Sequence, residues 1–191
     1  MRKLMLMVAM IVLTGMTGFT QVFEKGSQVV NVGIGFGNTA YFGSYYSGFL
    51  PSFSGSYEYG IVEIPMGSEL TGVVSAGGYL GWSTSKYDYS WDDVYYRYYN
   101  FIIAARANYH FIFHDKLDTY AGVWFGGNIV AGGWKGDGSH PDDDDWDADS
   151  SGPAGGVYVG ARWYFNDNFA VYSELGYLIS VFNVGVTLKI K

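Results

Sequence analysis

Apolar residues recur at every second position along most of the chain, and the stretch 155–190 shows this pattern most clearly. Its first run places apolar side chains at 157, 159, 161, 163 and 165, with Tyr, Gly and Arg side chains between them. A repeat of two is that of a β-strand, because successive side chains point to opposite faces. The turn Asn166-Asp167-Asn168 separates this run from the next. We therefore predict an antiparallel hairpin here, followed by a last strand that ends near Ile190.

The same alternation upstream predicts five earlier strands, which cover 28–36, 51–59, 71–83, 97–111 and 117–130. Long connections lie at one end of the strands (37–50, 84–95, 131–154), and shorter turns lie at the other (60–70, 112–116, 166–168). An even number of strands with this asymmetry is typical of outer-membrane barrels. The pattern predicts an all-β fold, namely a single eight-stranded antiparallel up-and-down transmembrane β-barrel.

The polar face of the predicted strands is small and nearly neutral. It consists mainly of Gly, Ser, Asn and Tyr, and only 15% of all residues are charged. A soluble barrel would carry Lys and Glu on the face that meets water, whereas eight strands enclose an interior that has room only for side chains. We therefore expect the polar face to fill a tight, hydrophilic lumen and the apolar face to meet lipid.

Aromatic residues gather near both ends of the apolar faces. Transmembrane barrels carry such girdles at the two membrane–water interfaces. Aromatic residues scattered through a β-sandwich core are the alternative interpretation. The pattern predicts a girdle that includes Trp82, Tyr99, Tyr109, Phe111, Trp163 and Phe165.

The first twenty residues differ from the rest of the chain. Arg2 and Lys3 precede an apolar run from Leu4 to Leu13, and small, mostly polar residues follow up to Thr20. This is the layout of a secretory signal peptide, and the apolar run is too short to span a membrane as a helix. We predict a signal peptide at 1–20, cleaved near Thr20–Gln21, and an outer-membrane β-barrel at 21–191.

Several segments resemble the small bacterial outer-membrane β-barrel domain family, the OmpA- and OmpX-like eight-stranded barrels. They are Tyr57-Glu-Tyr-Gly-Ile, Gly77-Gly-Tyr-Leu-Gly, Leu117-Asp-Thr-Tyr-Ala-Gly, Gly160-Ala-Arg-Trp-Tyr-Phe and the ending from Glu174. The resemblance implies the outer membrane of a Gram-negative-type bacterium, with insertion by the barrel-assembly machinery. That machinery reads an aromatic-rich last strand. Phe182 fits this requirement, although the chain ends in Ile190-Lys191 rather than in an aromatic residue.

Few ionisable residues fall on the polar face, and they are expected to meet. Unpaired charges in a dry lumen are costly, so oppositely charged groups should pair there. The predicted lumenal charge network places Arg106 and Arg162 between Glu58 and Glu174. Such a network serves either as a structural plug or as a conduction filter, and eight strands favour the plug.

An acidic run in the longest loop is the one candidate metal site. Asp145, Asp147 and Asp149 are spaced like the start of a calcium loop. A full EF-hand needs Gly at its sixth position and Glu at its twelfth, where this chain has Ser150 and Gly156. The motif therefore predicts weak calcium binding at most, and the alternative is a solvated acidic loop.

The remaining sequence features favour a role without catalysis or cofactor. The chain has no Cys and a net charge of −7, which excludes thiolate metal sites and argues against nucleic acid. Ser173 falls on the lipid face without a His beside it, so a nucleophile–base pair is not indicated.

Tyr- and Trp-rich loops suit adhesion or glycan binding, or contact with outer-membrane lipid and lipopolysaccharide. We predict a structural or surface-interaction protein whose surface ligand the sequence does not identify. The second interpretation is a narrow channel or transporter for small solutes, and the third is a lipid-modifying outer-membrane enzyme.

Overall fold

The computed structural model describes residues 22–39, 46–48, 50–66, 70–88, 95–135 and 151–191. These residues form nine strands in chain order: β1 (Gln28–Asn38), β2 (Tyr46–Gly48), β3 (Ser52–Met66), β4 (Leu70–Asp88), β5 (Tyr95–His114), β6 (Leu117–Lys135), β7 (Gly152–Tyr164), β8 (Phe169–Gly176) and β9 (Ser180–Lys189).

Eight of these strands close into a barrel. Each long strand pairs antiparallel with the next long strand along the chain, and β9 returns to pair with β1. The three-residue strand β2 pairs only with the end of β4. The prediction of a closed, eight-stranded, antiparallel up-and-down barrel is therefore confirmed.

The predicted ends of several strands were wrong. β3 continues through the expected turn to Met66, and β4, β5 and β6 run further into the long-loop end than expected. The loop 37–50 also contains β2, which the alternation did not indicate. The apolar alternation ends where the strands leave the lipid, but backbone hydrogen bonding between strands needs no apolar side chain and continues further.

The two faces of the barrel have the chemistry expected of a membrane protein. Ile103, Val159 and Val186 are 58%, 54% and 60% exposed and point outward. Their sequence neighbours Ile102 and Tyr158 are buried in the lumen. An apolar outer face of this kind is stable only in contact with lipid or another apolar surface. In the described part of the chain, no helix is both long and apolar enough to cross a membrane.

Glycine makes room for lumenal tyrosines. A Cβ atom added to Gly33, Gly122 or Gly160 would overlap the ring or hydroxyl of Tyr172, Tyr158 and Tyr120, respectively. Each of these tyrosines comes from a neighbouring strand or the next one around the barrel, and each is buried. The narrow interior therefore holds large aromatic rings by leaving the facing position without a side chain.

Apolar residues close the lumen at both ends, so the expectation of a hydrophilic interior throughout was wrong. At the turn end, Val22 and Phe23 enter the barrel ahead of β1, and Phe23 is fully buried. At the long-loop end, Leu178 and Ile179 fold inward from the β8–β9 connection and pack on a cluster that includes Tyr79, Ile102 and Trp124. These seals bury apolar surface that would otherwise face water in the lumen.

Candidate functional site

The lumenal charge cluster consists of six side chains: Glu58, Arg106, His110, Asp118, Arg162 and Glu174. They come from five strands, β3 and β5 to β8, and all are at most 3% exposed. Arg106 and His110 share a face of β5 because they are four residues apart, an even number. The closed register of the barrel then brings the six side chains together in the half nearer the turn end.

Two arginines connect the carboxylates of the cluster. Arg106 Nη2 lies 2.7 Å from Glu174 Oε1 and 3.3 Å from Glu58 Oε1. Arg162 Nη2 also donates to Glu58 Oε1, and its Nη1 lies 2.9 Å from Asp118 Oδ2. Glu58 therefore contacts both arginines, and the second carboxylate bound by Arg162 is Asp118. The strand pattern did not single out Asp118, which lies two residues after the β5–β6 turn. Asp118 is three residues from the outward-facing Ala121, and an odd separation in a strand places it on the lumenal face, so its position could have been predicted.

Aromatic rings enclose the arginines. The Tyr120 ring centre lies 4.4 Å from Arg162 Cζ, and the Tyr158 ring centre lies 4.6 Å from Arg106 Cζ. Tyr120 also donates its hydroxyl proton to Glu174 Oε1 at 2.9 Å. Each guanidinium thus has a carboxylate within hydrogen-bond distance and a ring against it, which is the environment that stabilises a buried arginine.

His110 joins the cluster to the seal at the turn end. Its Nδ1 lies 2.8 Å from Asp118 Oδ1, and its Nε2 lies 2.9 Å from Ser75 Oγ. The Phe23 ring stacks on the imidazole with centroids 3.9 Å apart. Ser75, His110 and Asp118 have the connectivity of a catalytic triad, but all three are fully buried beneath Phe23. Ser75 is 0% exposed, so a substrate could not reach its hydroxyl unless the structure around it opened.

The six predicted girdle residues all lie on the outward face of the strands. Trp163 and Phe165 are well exposed, and Trp82, Tyr99, Tyr109 and Phe111 are half-exposed. Neighbouring rings support one another: the centroids of Tyr109 and Phe111 lie 4.8 Å apart, and those of Phe53 and Trp82 lie 5.7 Å apart. The predicted calcium residues Asp145, Asp147 and Asp149 lie outside the described residues, as does the predicted signal peptide.

The second candidate site is an extension of the barrel wall, which we call the overhang: residues 83–88, 95–100 and 130–135. Here β4, β5 and β6, with 19, 20 and 19 residues, continue beyond the shorter strands β7 to β9, with 13, 8 and 10 residues. About ten residues suffice for a tilted strand to cross a membrane. The three strands therefore project at the long-loop end as a hydrogen-bonded sheet rather than as loops.

The overhang carries different chemistry on its two faces. On the inner face, the Tyr96 ring lies 4.7 Å from the Tyr98 ring and 5.1 Å from the Trp134 ring. On the outer face, Lys86 and Arg97 are direct cross-strand partners. Both contact the Tyr95 ring, at 4.6 and 5.3 Å from its centre, and Arg97 Nη2 donates to the Tyr95 hydroxyl at 3.0 Å. The described contacts of the outer face thus join two cations to one aromatic ring.

Closed pairing, an apolar exterior and a lumen filled by side chains around a buried charge cluster define the protein as a small eight-stranded β-barrel of the outer-membrane type. No family model and no curated protein sequence matches the chain. Among solved structures, two of Ail, the attachment invasion locus protein of Yersinia pestis, are similar. One, in complex with the heparin analogue sucrose octasulfate, is 11% identical with a TM-score of 0.46 and covers 86% of this chain and 96% of its own. The other is 12% identical with a TM-score of 0.41 and covers 86% and 95%.

Proposed function

We propose that the protein is an integral outer-membrane barrel whose working part is its surface at the long-loop end. The observation that carries this proposal is the overhang, a rigid three-stranded sheet that extends beyond the span needed for the membrane. A structural plug alone would not need β4, β5 and β6 to be more than twice as long as β8. Aromatic side chains on a rigid scaffold are well suited to bind a surface ligand, because little conformational entropy is lost on binding.

The proposal includes location and processing. The signal peptide at 1–20 is removed near Thr20–Gln21, and the barrel-assembly machinery inserts the chain into a Gram-negative-type outer membrane. The burial of Val22 and Phe23 supports cleavage on the N-terminal side of Val22, because the chain from that residue onward has a place in the barrel. Cell fractionation with mass spectrometry of the mature protein tests both parts. Recovery of the protein in the periplasm, or a mature chain that starts after Phe23, contradicts them.

A role in adhesion or ligand binding is tested by removing the overhang. We would join β4 to β5 by a two-residue Asn-Gly turn in place of residues 86–97 and shorten β6 to match. The expected variant still shows heat-modifiable mobility on gels, because the barrel below is unchanged, but its cells lose binding to immobilised glycans and matrix proteins. Unchanged binding by cells that carry the shortened barrel contradicts the proposal.

The channel alternative is disfavoured by the two seals. Phe23 closes the turn end and Ile179 the long-loop end, with the charge cluster between them. Planar-bilayer recording of the purified barrel is expected to show no steady conductance. The third alternative, a lipid-modifying enzyme, predicts a shift in the mass of lipid A on overexpression, and we expect none.

A further inference from the structure

We propose that His110 is the proton-binding residue of a pH-sensitive latch, which holds the Val22–Phe23 segment in the turn end of the barrel. The segment is held while the imidazole is protonated and is released when the imidazole loses its proton. The latch acts at the turn end and is independent of the proposed surface role of the long-loop end. Three observations support it: the charge balance of the lumenal charge cluster, the surroundings of both ring nitrogens and the stack of Phe23 on the imidazole.

The lumenal charge cluster has one negative charge in excess unless His110 is protonated. Its carboxylates outnumber its permanent cations, because Glu58, Asp118 and Glu174 face only Arg106 and Arg162. A net charge in a space that excludes water is costly, so a third cation stabilises the cluster. His110 is the remaining member of the cluster, and histidine is the side chain that changes charge between about pH 5 and 8.

Lys189, at the mouth of the turn end, does not supply the missing cation. It is half-buried, and its Nζ donates to the Val22 carbonyl oxygen at 3.2 Å. The charges of Glu24 and Asp167 act on Lys189 as well as that of Asp118. Counting Lys189 together with Glu24 and Asp167 adds more negative than positive charge, so the excess remains.

Both ring nitrogens of His110 face oxygen atoms. Nδ1 lies 2.8 Å from Asp118 Oδ1, and Nε2 lies 2.9 Å from Ser75 Oγ and 3.6 Å from Glu58 Oε2. Among the described residues, this Glu58 oxygen is buried without a hydrogen-bond partner. A neutral imidazole donates from one nitrogen only, whereas an imidazolium ion donates from both. The protonated ring therefore donates to Asp118 and also directs an N–H group toward Ser75 and the unpaired Glu58 oxygen.

Buried side chains surround the imidazole, so water does not screen its charge. The Tyr120 ring is tilted against it with centroids 5.3 Å apart. The side chains that face the ring or complete its cluster are all at most 3% exposed. They are Phe23 from the N-terminal segment, Glu58 from β3, Ser75 from β4, Arg106 from β5, Asp118 and Tyr120 from β6, Arg162 and Tyr164 from β7, and Glu174 from β8.

Phe23 couples the proton on His110 to the N-terminal segment. Its ring stacks on the imidazole with centroids 3.9 Å and planes 14° apart, and its centre lies 5.9 Å from Arg162 Cζ. An aromatic face attracts a cation more strongly than a neutral ring. Phe23 also excludes water from the cluster, so the held state favours the cluster without net charge. The held state then binds protons more tightly than the released state, and a rise in pH favours release.

The test follows the mobility of the segment with a nitroxide spin label. The chain has no cysteine, and Glu24 is exposed beside Phe23, so Glu24→Cys provides a single labelling site. Electron paramagnetic resonance spectra of the labelled barrel in detergent, recorded at about pH 5 and about pH 8, give the mobile fraction. We expect the ratio of mobile to immobile label to rise about tenfold between these pH values, which corresponds to a tenfold difference in proton affinity between the held and released states.

Two further substitutions in the labelled protein separate charge from packing. His110→Gln cannot take up the proton, so the label should be mobile at both pH values. His110→Gln/Asp118→Asn also removes one carboxylate and leaves the cluster neutral, so the label should be immobile at both pH values. His114→Gln is the matched control, because His114 is exposed at the turn end, and it should respond to pH as the labelled parent does.

Any of three results would refute the latch: a mobile fraction in the labelled parent that is the same at both pH values, a pH response that persists in His110→Gln, or equal mobility of the label in His110→Gln and His110→Gln/Asp118→Asn. Heat-modifiable mobility of each variant checks that the barrel is folded. Nitrogen-15 NMR of the histidine-labelled wild type gives a reading that needs no variant to fold. At about pH 5 we expect two protonated nitrogens on each histidine ring, and a ring with only one contradicts the latch.

Discussion

The two halves of the lumen differ in whether they contain buried charges. The half nearer the turn end contains the lumenal charge cluster, in which each charged group needs particular partners from other strands. Among the described residues, the half nearer the long-loop end buries only uncharged side chains. Its apolar core is Leu178 and Ile179 packed against Tyr79 and Trp124, and beside it Ser52 is hydrogen-bonded to Ser180. Removing one member of a buried ion-pair network leaves an unpaired charge, whereas trimming an apolar side chain leaves a small cavity. The comparison indicates that the stability of the charged half depends on specific ion-pair partners, whereas the stability of the apolar half depends on how well side chains fill the space.

The largest effect is expected from Arg162→Leu. This change leaves Glu58 and Asp118 with one cation fewer in a buried space. We expect a loss of about 3–5 kcal/mol in the free energy of unfolding. Urea unfolding of the barrel in lipid vesicles, followed by tryptophan fluorescence, measures it. Arg97→Leu is the control, because Arg97 lies outside the lumen and its loss should change this free energy little. A loss below about 1 kcal/mol for Arg162→Leu contradicts the comparison.

Ile179→Ala tests the apolar half by the same measurement. The side chain is 2% exposed and contributes to the seal at the long-loop end. Its truncation should cost about 2–4 kcal/mol, from lost burial and the remaining cavity. Val159→Ala is a control on the lipid-facing side, where acyl chains fill the space left by the methyl groups. If the two variants lose equal stability, Ile179 is not packed as described.

Gly160→Ala sharpens the comparison at the boundary between the halves. The added Cβ would overlap the ring of Tyr120, which contacts both Arg162 and Glu174. We expect a loss of about 1–3 kcal/mol, because a rigid ring with fixed partners cannot move freely. Gly133→Ala on the overhang is the matched control, since nothing lies within 4 Å of the added atom. Equal unfolding midpoints for the two alanine variants would rule out the proposed fit of tyrosine over glycine.

Phe23→Leu should have the smallest effect, about 1 kcal/mol, because the apolar volume is largely kept and only the ring contacts with His110 and Arg162 are lost. We also expect no conductance in planar bilayers, because the seal of Leu178 and Ile179 is untouched. A steady current through this variant would show that the turn end alone closes the lumen.

The alternation predicted the faces of the strands well. A strand with lipid on one side and a filled lumen on the other can take only one register, so Val159 and Tyr158 could be assigned to opposite faces from the sequence. The pattern also placed Glu58, Arg106, Arg162 and Glu174 on the lumenal side, because charges on the lipid face are destabilising.

The contents of the lumen could be predicted less well. A period of two gives the face of a residue but not its partners around the barrel, so the contacts of Asp118 and Ser75 could not be read from the sequence. Leu178, Ile179, Val22 and Phe23 lie in short connections without a period, and nothing local shows that they turn inward. Most of the overhang was missed because the apolar alternation fades in the last residues of β4, β5 and β6, although these strands stay paired there.

The burial of Val22 and Phe23 has a consequence for the order of assembly. These two residues precede every strand, yet their neighbours come from much of the chain: Val29, Val73, His110, Tyr164, Ala170 and Lys189. Their site is incomplete until the final strand has joined the first. The segment ahead of the first strand is therefore among the last to reach its final position, and it must stay unattached until the barrel has closed.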